Sequence, residues 1–331
     1  MALERHADKP ALLESQDLLE RLAAIVEREK LTDLVCNGPT NCYGQSVEAA
    51  EMHPVVPLFH DVQSMRSELA ELALNSGVSL NLANPLAELV VRHAKAGRMR
   101  IHIVLGSGLC EQPLLSVRRH PVLPAQIHHL EALGFLTSAQ RNLLAEMMQL
   151  QGNFLIAGRT GSGKTTLLAA MLHSMSGRTI LLEETPEIEL PPPSLSLTQR
   201  KANSEGRGEI TIQRLLIESL RMRPDRVVVG EVRGIELATL LQALNNGHRG
   251  SGATLHAASP ELTVQRLLLL GMIAGLQPEL TMRLVAGGVD FVVQLGLVDG
   301  KRRVVEITRP RLSDGLLSLE PISASSDRAA A

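Results

Sequence analysis

The chain contains no tryptophan, one tyrosine and four phenylalanines among 331 residues. Proteins that grip single-stranded nucleic acid stack its bases on aromatic rings, so this composition argues against an oligonucleotide groove. Charge does not favour one either. Thirty-three Lys and Arg against 35 Asp and Glu leave a formal net charge of −2, and binding to nucleic acid or anionic lipid would need a local patch. Cysteine is scarce as well: Cys36, Cys42 and Cys110 form no CxxC pair and leave an odd count, which fits reduced cytosolic thiols better than a disulfide framework or a structural metal. The longest nearly continuous apolar run, "LLLLGMIAGL" at 267–276, falls short of the roughly 20 residues of a bilayer span. The opening "MALERHADKPALLESQ" has acidic residues and no apolar stretch of the signal-peptide kind. A cytoplasmic protein is expected, one still able to dock on a membrane protein.

What is present is a core-forming balance of 44% hydrophobic and 21% charged residues over a length sufficient for two domains. Residues 1–14 are expected to be flexible. Over 15–117, apolar faces at helical spacing (Leu18, Leu22, Ile25; Met65, Leu69, Leu72) alternate with strand-like "LTDLVCN", "RIHIV" and "LLSVRR", which reads as a smaller α+β domain. The proline-bearing stretch 118–135 reads as an interdomain connector. From 136 to 315, a capping box at "TSAQ" starts a helix, and short apolar strands at 153–157, 179–182 and 227–229 alternate with helices. That alternation predicts an α/β domain with a parallel sheet covered on both faces. A hairpin should turn at Asp299-Gly300, and the tail 316–331 is expected to be disordered.

The strongest motif is "GRTGSGKT" at 158–165, which matches GxxxxGK[ST] between a strand and a helix. Gly158, Gly161 and Gly163 let the backbone curl so that N–H groups, together with Thr160, Ser162 and Thr166, surround a polyphosphate. Lys164 should reach the β- and γ-phosphates, and Thr165 should hold magnesium. A magnesium-bound nucleotide is therefore the expected ligand. The loop does not say what hydrolysis drives.

Three carboxylates, Glu183, Glu184 and Glu187, follow the second strand, where crevice residues of an open sheet belong; a solvated acidic loop is the alternative. Glu231 follows the next strand, with Gly230 where such strands usually carry a magnesium-linked aspartate. It can hold a metal-bound water or orient the attacking one, or pair with Arg233 as a surface acid. His248 and His256 flank a glycine-rich turn, either near a γ-phosphate or simply packed. Arg221, Arg223 and Arg226 in "LRMRPDR" suit the role of arginine fingers at a subunit boundary, or of partners to Glu218 and Asp225.

In their order, "GRTGSGKTT", "LEETPEIEL", "LRMRPDRVVVGEVRG" and "NNGHRGSGATLHAASP" resemble the secretion-superfamily ATPases of type II and type IV secretion and pilus assembly, most closely the tight-adherence (Flp) pilus and conjugal-transfer-associated branch. The resemblance spans about residues 30–310. It implies a RecA-like P-loop domain and a ring-forming, usually hexameric, ATP-driven motor on the inner face of the cell membrane, with a polytopic platform protein as partner and no direct nucleic-acid binding. By resemblance Glu187 falls on the general base, Glu183 on a supporting acid, Glu231 on the Walker-B-type glutamate that faces the metal, and His256 on the motif histidine. Arg221 and Arg223 match the arginine box, while Arg118 and Arg100 match first-domain arginines that approach the phosphates. The acidic box departs from the family's usual Glu-Asp start by reading Glu183-Glu184. A DNA translocase or helicase shares the same phosphate loop and is the rival reading.

Overall fold

In the computed structural model, which describes residues 17–46, 51–106, 108–120, 126–200, 202 and 207–322, the chain divides into two units, Met1–Val122 and Leu123–Ala331. The expected flexible stretch 1–14 lies outside the described residues.

The first unit starts with α1 (Leu18–Arg28), capped by Asp17 Oδ1, which accepts from Leu19 N at 2.8 Å. Strands β1 (Leu31–Asn37), β2 (Cys42–Ser46) and β3 (His53–Pro54) follow, then α2 (Val62–Asn75) and strands β4 (Leu86–His93), β5 (Gly97–Val104) and β6 (Leu114–His120). They form one sheet in the order β3-β2-β1-β6-β5-β4, every pair antiparallel. Along β5, Met99, Ile101 and Ile103 are buried while Arg100 and His102 are exposed. That is the period-2 alternation of a sheet with one covered face. Cys36 and Cys42 are cross-strand partners, both buried, with free thiols 2.8 Å apart.

The second unit opens with α3 (Ile127–Ala132) and α4 (Ser138–Gln149), whose capping box pairs Thr137 with Gln140. The body then alternates: β7 (Phe154–Ala157), α5 (Lys164–Ser174), β8 (Thr179–Glu183), β9 (Leu195–Thr198), α6 (Ile212–Ser219), β10 (Arg226–Val229), α7 (Glu236–Asn245), β11 (Gly252–Leu255), α8 (Pro260–Ile273), α9 (Pro278–Gly288) and β12 (Phe291–Val298). Strands β12-β7-β11-β10-β8-β9 are parallel neighbours, and β13 (Lys301–Ser313) and β14 (Leu316–Pro321) extend the β12 edge antiparallel. Side-chain alternation divides the core. Phe154, Ile156, Leu181 and Val228 point toward α4 and α5, while Leu155, Ile180, Leu182 and Val229 point toward α6, α7 and α8.

At the base of this sheet, Asn153 is fully buried and ties several segments together. Its Nδ2 donates to Leu244 O at 3.2 Å and Gly288 O at 2.9 Å, its Oδ1 accepts from Ser251 N at 3.1 Å, and its backbone N donates to Asp290 Oδ2 at 2.7 Å.

Two sequence expectations are corrected. The stretch 118–135, taken as a connector, carries the end of β6 and all of α3, because Ile127 and Leu130 find apolar partners in the α5 core. The tail expected to be disordered from 316 is strand β14 through Pro321, since Leu317 is buried and Leu316–Pro321 pairs with β13 across an Asp314-Gly315 turn; 323–331 lies outside the described residues. The turn at Asp299-Gly300 joins β12 to β13 with positive φ of 52° and 72°, the conformation a two-residue hairpin requires.

Candidate active site

Parallel strands place their C-terminal ends on one edge, and there the motifs line up. The register Ala157↔Leu255, Ala253↔Val229 and Val229↔Leu182 sets Gly158, His256, Gly230-Glu231 and Glu183-Glu184 in a row at the ends of β7, β11, β10 and β8. This is the crevice where open α/β sheets bind ligands.

The loop between β7 and α5 is a cradle for an anion. Gly161 and Gly163 have left-handed φ of 75° and 97°, and Gly163 caps α5. A Cβ at Gly158 would overlap Ser162 Oγ and lie 3.0 Å from Leu295 Cβ; one at Gly163 would lie 2.8 Å from Phe135. Ser162 is 3% exposed and its Oγ has no hydrogen-bond partner, and a buried hydroxyl is costly to leave unpaired. Lys164 Nζ donates to Gly158 O at 3.0 Å and Arg159 O at 3.2 Å, folded back over the loop. Burial pushes its pKa down, Glu231 and Glu187 push it up, and Arg233 pushes it down again. Those four side chains therefore share one electrostatic neighbourhood. Thr165 is exposed and Thr166 half-buried on the first turn of α5. Thr160 Oγ1 lies 3.4 Å from His256 Nδ1, and the histidine is exposed at the end of β11.

Glu183 departs from the picture of a carboxylate open to the crevice. It is 5% exposed; Oε1 accepts from Glu187 N at 2.9 Å and Ile188 N at 3.1 Å, and Oε2 accepts from Ser196 Oγ at 2.6 Å. Burial raises its pKa, and those three hydrogen bonds oppose the rise. The carboxylate is spent on folding the loop that carries Glu187. Ser196, on β9, is not among the residues that the sequence motifs single out.

Gly230 is explained by the same neighbour. Its N donates to Leu182 O at 2.7 Å, and a Cβ there would sit 3.2 Å from Leu182 O and 3.3 Å from Glu183 Cγ. An aspartate at this position would set a second carboxylate against buried Glu183. Glu231, one residue on, bonds Arg233 Nη2 through Oε2 at 2.8 Å, and Arg233 Nη1 reaches Glu184 Oε2. Glu231 beside Arg233 raises the pKa of that guanidinium.

The remaining candidates lie elsewhere. His248 precedes β11, and Arg221 and Arg223 precede β10, so all three sit at the opposite edge of the sheet from the phosphate loop, roughly four strand residues or ~13 Å away. Arg221 pairs with Glu218 at 3.5 Å, and Arg223 is exposed with a left-handed φ of 53°. Arg226 is buried and donates to Thr179 Oγ1 and Ser176 O. In the first unit, Arg118 pairs with Asp33 at 2.7 Å and Arg100 with Glu88 at 2.5 Å. Among the described residues no group of three or more His, Cys, Asp or Glu is arranged to hold a metal, and no single helix is long and apolar enough to cross a membrane.

Comparison with known proteins gives three findings. Residues 89–301 match the family model described as type II/IV secretion system protein. "Putative conjugal transfer protein Rv3659c" of Mycobacterium tuberculosis is 33% identical over 303 residues, covering 89% of this chain and 85% of that protein. Type IV secretion system protein VirB11 of Bartonella quintana is 32% identical over 187 residues, covering 55% of this chain and 52% of that one. Among solved structures, the pilus retraction motor PilT with bound ADP superposes with a TM-score of 0.65 at 19% identity, covering 94% of this chain and 84% of that chain. The ATPase DotB of Legionella pneumophila gives 0.62 at 18% identity, covering 88% and 80%. These two likenesses show that the chain shares the fold of those proteins.

Proposed function

The chain belongs to the type II/IV secretion system protein family, and from that premise we propose that it is a ring-forming, hexameric motor that hydrolyses Mg-ATP to power pilus assembly or secretion through an inner-membrane machine. The observation that carries the reading is the row at one sheet edge: the phosphate loop, His256, Glu231 and the acidic loop bearing Glu187 stand at the ends of four adjacent parallel strands.

Bound Mg-ATP supplies the phosphoryl group and a cation that neutralises its developing charge. The residues present fit it. The orphaned Ser162 Oγ and the left-handed glycines suit a polyphosphate, and the Thr165 hydroxyl with the Glu231 carboxylate are the hard oxygen donors magnesium takes. Lys164, which here donates to the carbonyls of Gly158 and Arg159, would hold the phosphates together with the N–H groups of 161–166. Glu187 takes the proton of the attacking water, held in place by Glu183 through its own backbone N–H. His256 reports the state of the γ-phosphate to the loop through Thr160.

Arg221 and Arg223 stand at the far sheet edge, exposed, which supports action on a neighbouring subunit's nucleotide rather than their own. That placement supports a ring as the working form. By the resemblance, Arg118 and Arg100 of the first unit, paired here with Asp33 and Glu88, are the first-unit candidates for a role in nucleotide binding. The partner is a polytopic platform protein at the inner face of the membrane. Relatives named for conjugal transfer and the resemblance to the Flp pilus branch support a pilus or conjugation machine as the setting.

Steady-state ATP turnover and nucleotide binding test the reading. Lys164→Ala abolishes turnover and weakens binding, whereas Glu231→Gln binds ATP and stops hydrolysis. Wild-type turnover in Lys164→Ala would overturn it.

A further inference from the structure

Arg233 lies outside the motif residues that carry the proposed reaction, yet it is held more firmly than an exposed arginine needs to be. Its backbone N and that of Gly234 both donate to Glu236 Oε1, at 2.6 and 2.9 Å, and Glu236 is itself buried at the head of α7. The guanidinium then forks. Nη2 bonds Glu231 Oε2 at 2.8 Å and Nη1 bonds Glu184 Oε2.

Charge explains the need for the fork. Val229 pairs with Leu182 across adjacent parallel strands, and continuing that register by two residues sets Glu231 beside Glu184. Like charges side by side on neighbouring strands repel. Glu187, turned out of the same loop, adds a third carboxylate, and Lys164 is the other cation that shares this field. Buried Glu183, exposed His256 and exposed Arg159 of the phosphate loop are further ionisable groups at these strand ends. Without Arg233, three carboxylates would face one ammonium group, and Glu231, on a side chain with three rotatable bonds, would turn away from Glu184. The anchors make the restraint stiff. Glu184 follows Glu183, whose carboxylate is fixed by three hydrogen bonds, and Arg233 is pinned by Glu236.

We propose that Arg233 is a positioning residue that clamps Glu231 to the acidic loop through Glu184, so that the carboxylate after β10 and the loop after β8 present themselves to the nucleotide as one rigid unit. Through Oε2 it fixes the Glu231 carboxylate and leaves Oε1 outside the clamp. This inference rests on the ATPase reading above.

Two measurements separate its failure from that of the reading. In the nucleotide-free protein, urea unfolding of Arg233→Ala, Glu231→Gln and the double variant should be non-additive by about three- to tenfold in the unfolding equilibrium; additivity overturns the clamp whether or not the protein turns over ATP. In turnover assays referenced to wild type and Lys164→Ala, Arg233→Ala lowers kcat by about tenfold or more. Adding Glu184→Gln to Arg233→Ala restores most of that loss, because nothing then drives Glu231 aside. An arginine acting through direct phosphate contact gives no such recovery. A double variant as slow as Arg233→Ala alone overturns the proposal, while loss of the Lys164-dependent turnover in the wild type overturns the ATPase reading and leaves the unfolding cycle to decide the clamp.

Discussion

Replacing Gly230 tests why a glycine stands where an aspartate could serve. In Gly230→Ala the new methyl would lie 3.2 Å from Leu182 O and 3.3 Å from Glu183 Cγ, within a shell that must yield by a few tenths of an ångström. Overpacking of this kind costs about 1–3 kcal/mol, and removing a glycine from the unfolded chain offsets about 0.4–1 kcal/mol. The net loss, about 1–2 kcal/mol, lowers Tm by roughly 2–8 °C for a unit of this size. Gly230→Asp adds a carboxylate about 5 Å from that of Glu183, worth about 3 kcal/mol of repulsion at an effective dielectric constant of ~20. Glu183 is 5% exposed and burial already raises its pKa, so solvent does little to screen the pair. The sign follows from linkage. A carboxyl whose folded pKa lies above its unfolded value holds extra protons when folded, and stability is lost as pH rises from the unfolded value through the folded one. The two variants should therefore melt close together near about pH 5, with Gly230→Asp falling well below Gly230→Ala near about pH 8. Thermal unfolding followed by circular dichroism at both pH values reads the gap. Equal Tm values at the higher pH would refute the crowding of two carboxylates as the reason for the glycine.

Three further outcomes follow from the same structure. Asn153→Ala orphans two carbonyls and one N–H in a fully buried site, and at about 1–3 kcal/mol per unsatisfied group it should cost about 3–5 kcal/mol in urea unfolding; a loss under about 1 kcal/mol contradicts the hub. Arg221→Ala and Arg223→Ala leave Tm within about 1–2 °C of wild type, because both side chains are exposed. Each should still lose turnover, and mixing either variant with Lys164→Ala subunits should recover some activity through heterologous pairs. Finally, a thiol reagent added to the native protein should label Cys110 alone; Cys36 and Cys42, buried against each other, react after unfolding.

Much of the second unit was legible because its chemistry is local. A phosphate loop needs glycines at fixed offsets, buried parallel strands read as short apolar runs, and Thr137, Ser259 and Asp299-Gly300 announce their own caps and turn. The elements that escaped take their structure from partners distant in sequence. Strand β9 is only four residues long and forms because β8 pairs with it and Glu183 bonds Ser196. Strand β4 carries Glu88, Arg92 and His93 among its apolar residues, and its identity comes from β5 beside it. Helix α9 begins at Pro278 directly after the turn that ends α8, so one long apolar stretch hides two helices. Strand β14 had a readable signal, since Asp314-Gly315 repeats the dipeptide of the preceding hairpin. At the site, Glu183 and Arg233 could not be sorted by composition. Whether a carboxylate faces solvent, a phosphate or two backbone amides depends on which strand lies beside it.

The amide of Asn153 has a mechanical meaning. It sits at the foot of β7, at the end of the sheet away from the phosphate loop, and ties that strand to the ends of α7 and α9 and to the starts of β11 and β12. A sheet whose strands could slip at the foot would absorb a displacement made at the mouth as shear. One riveted there would pass it on, so a displacement made at the mouth would reach the outer helices with little lost to internal compliance.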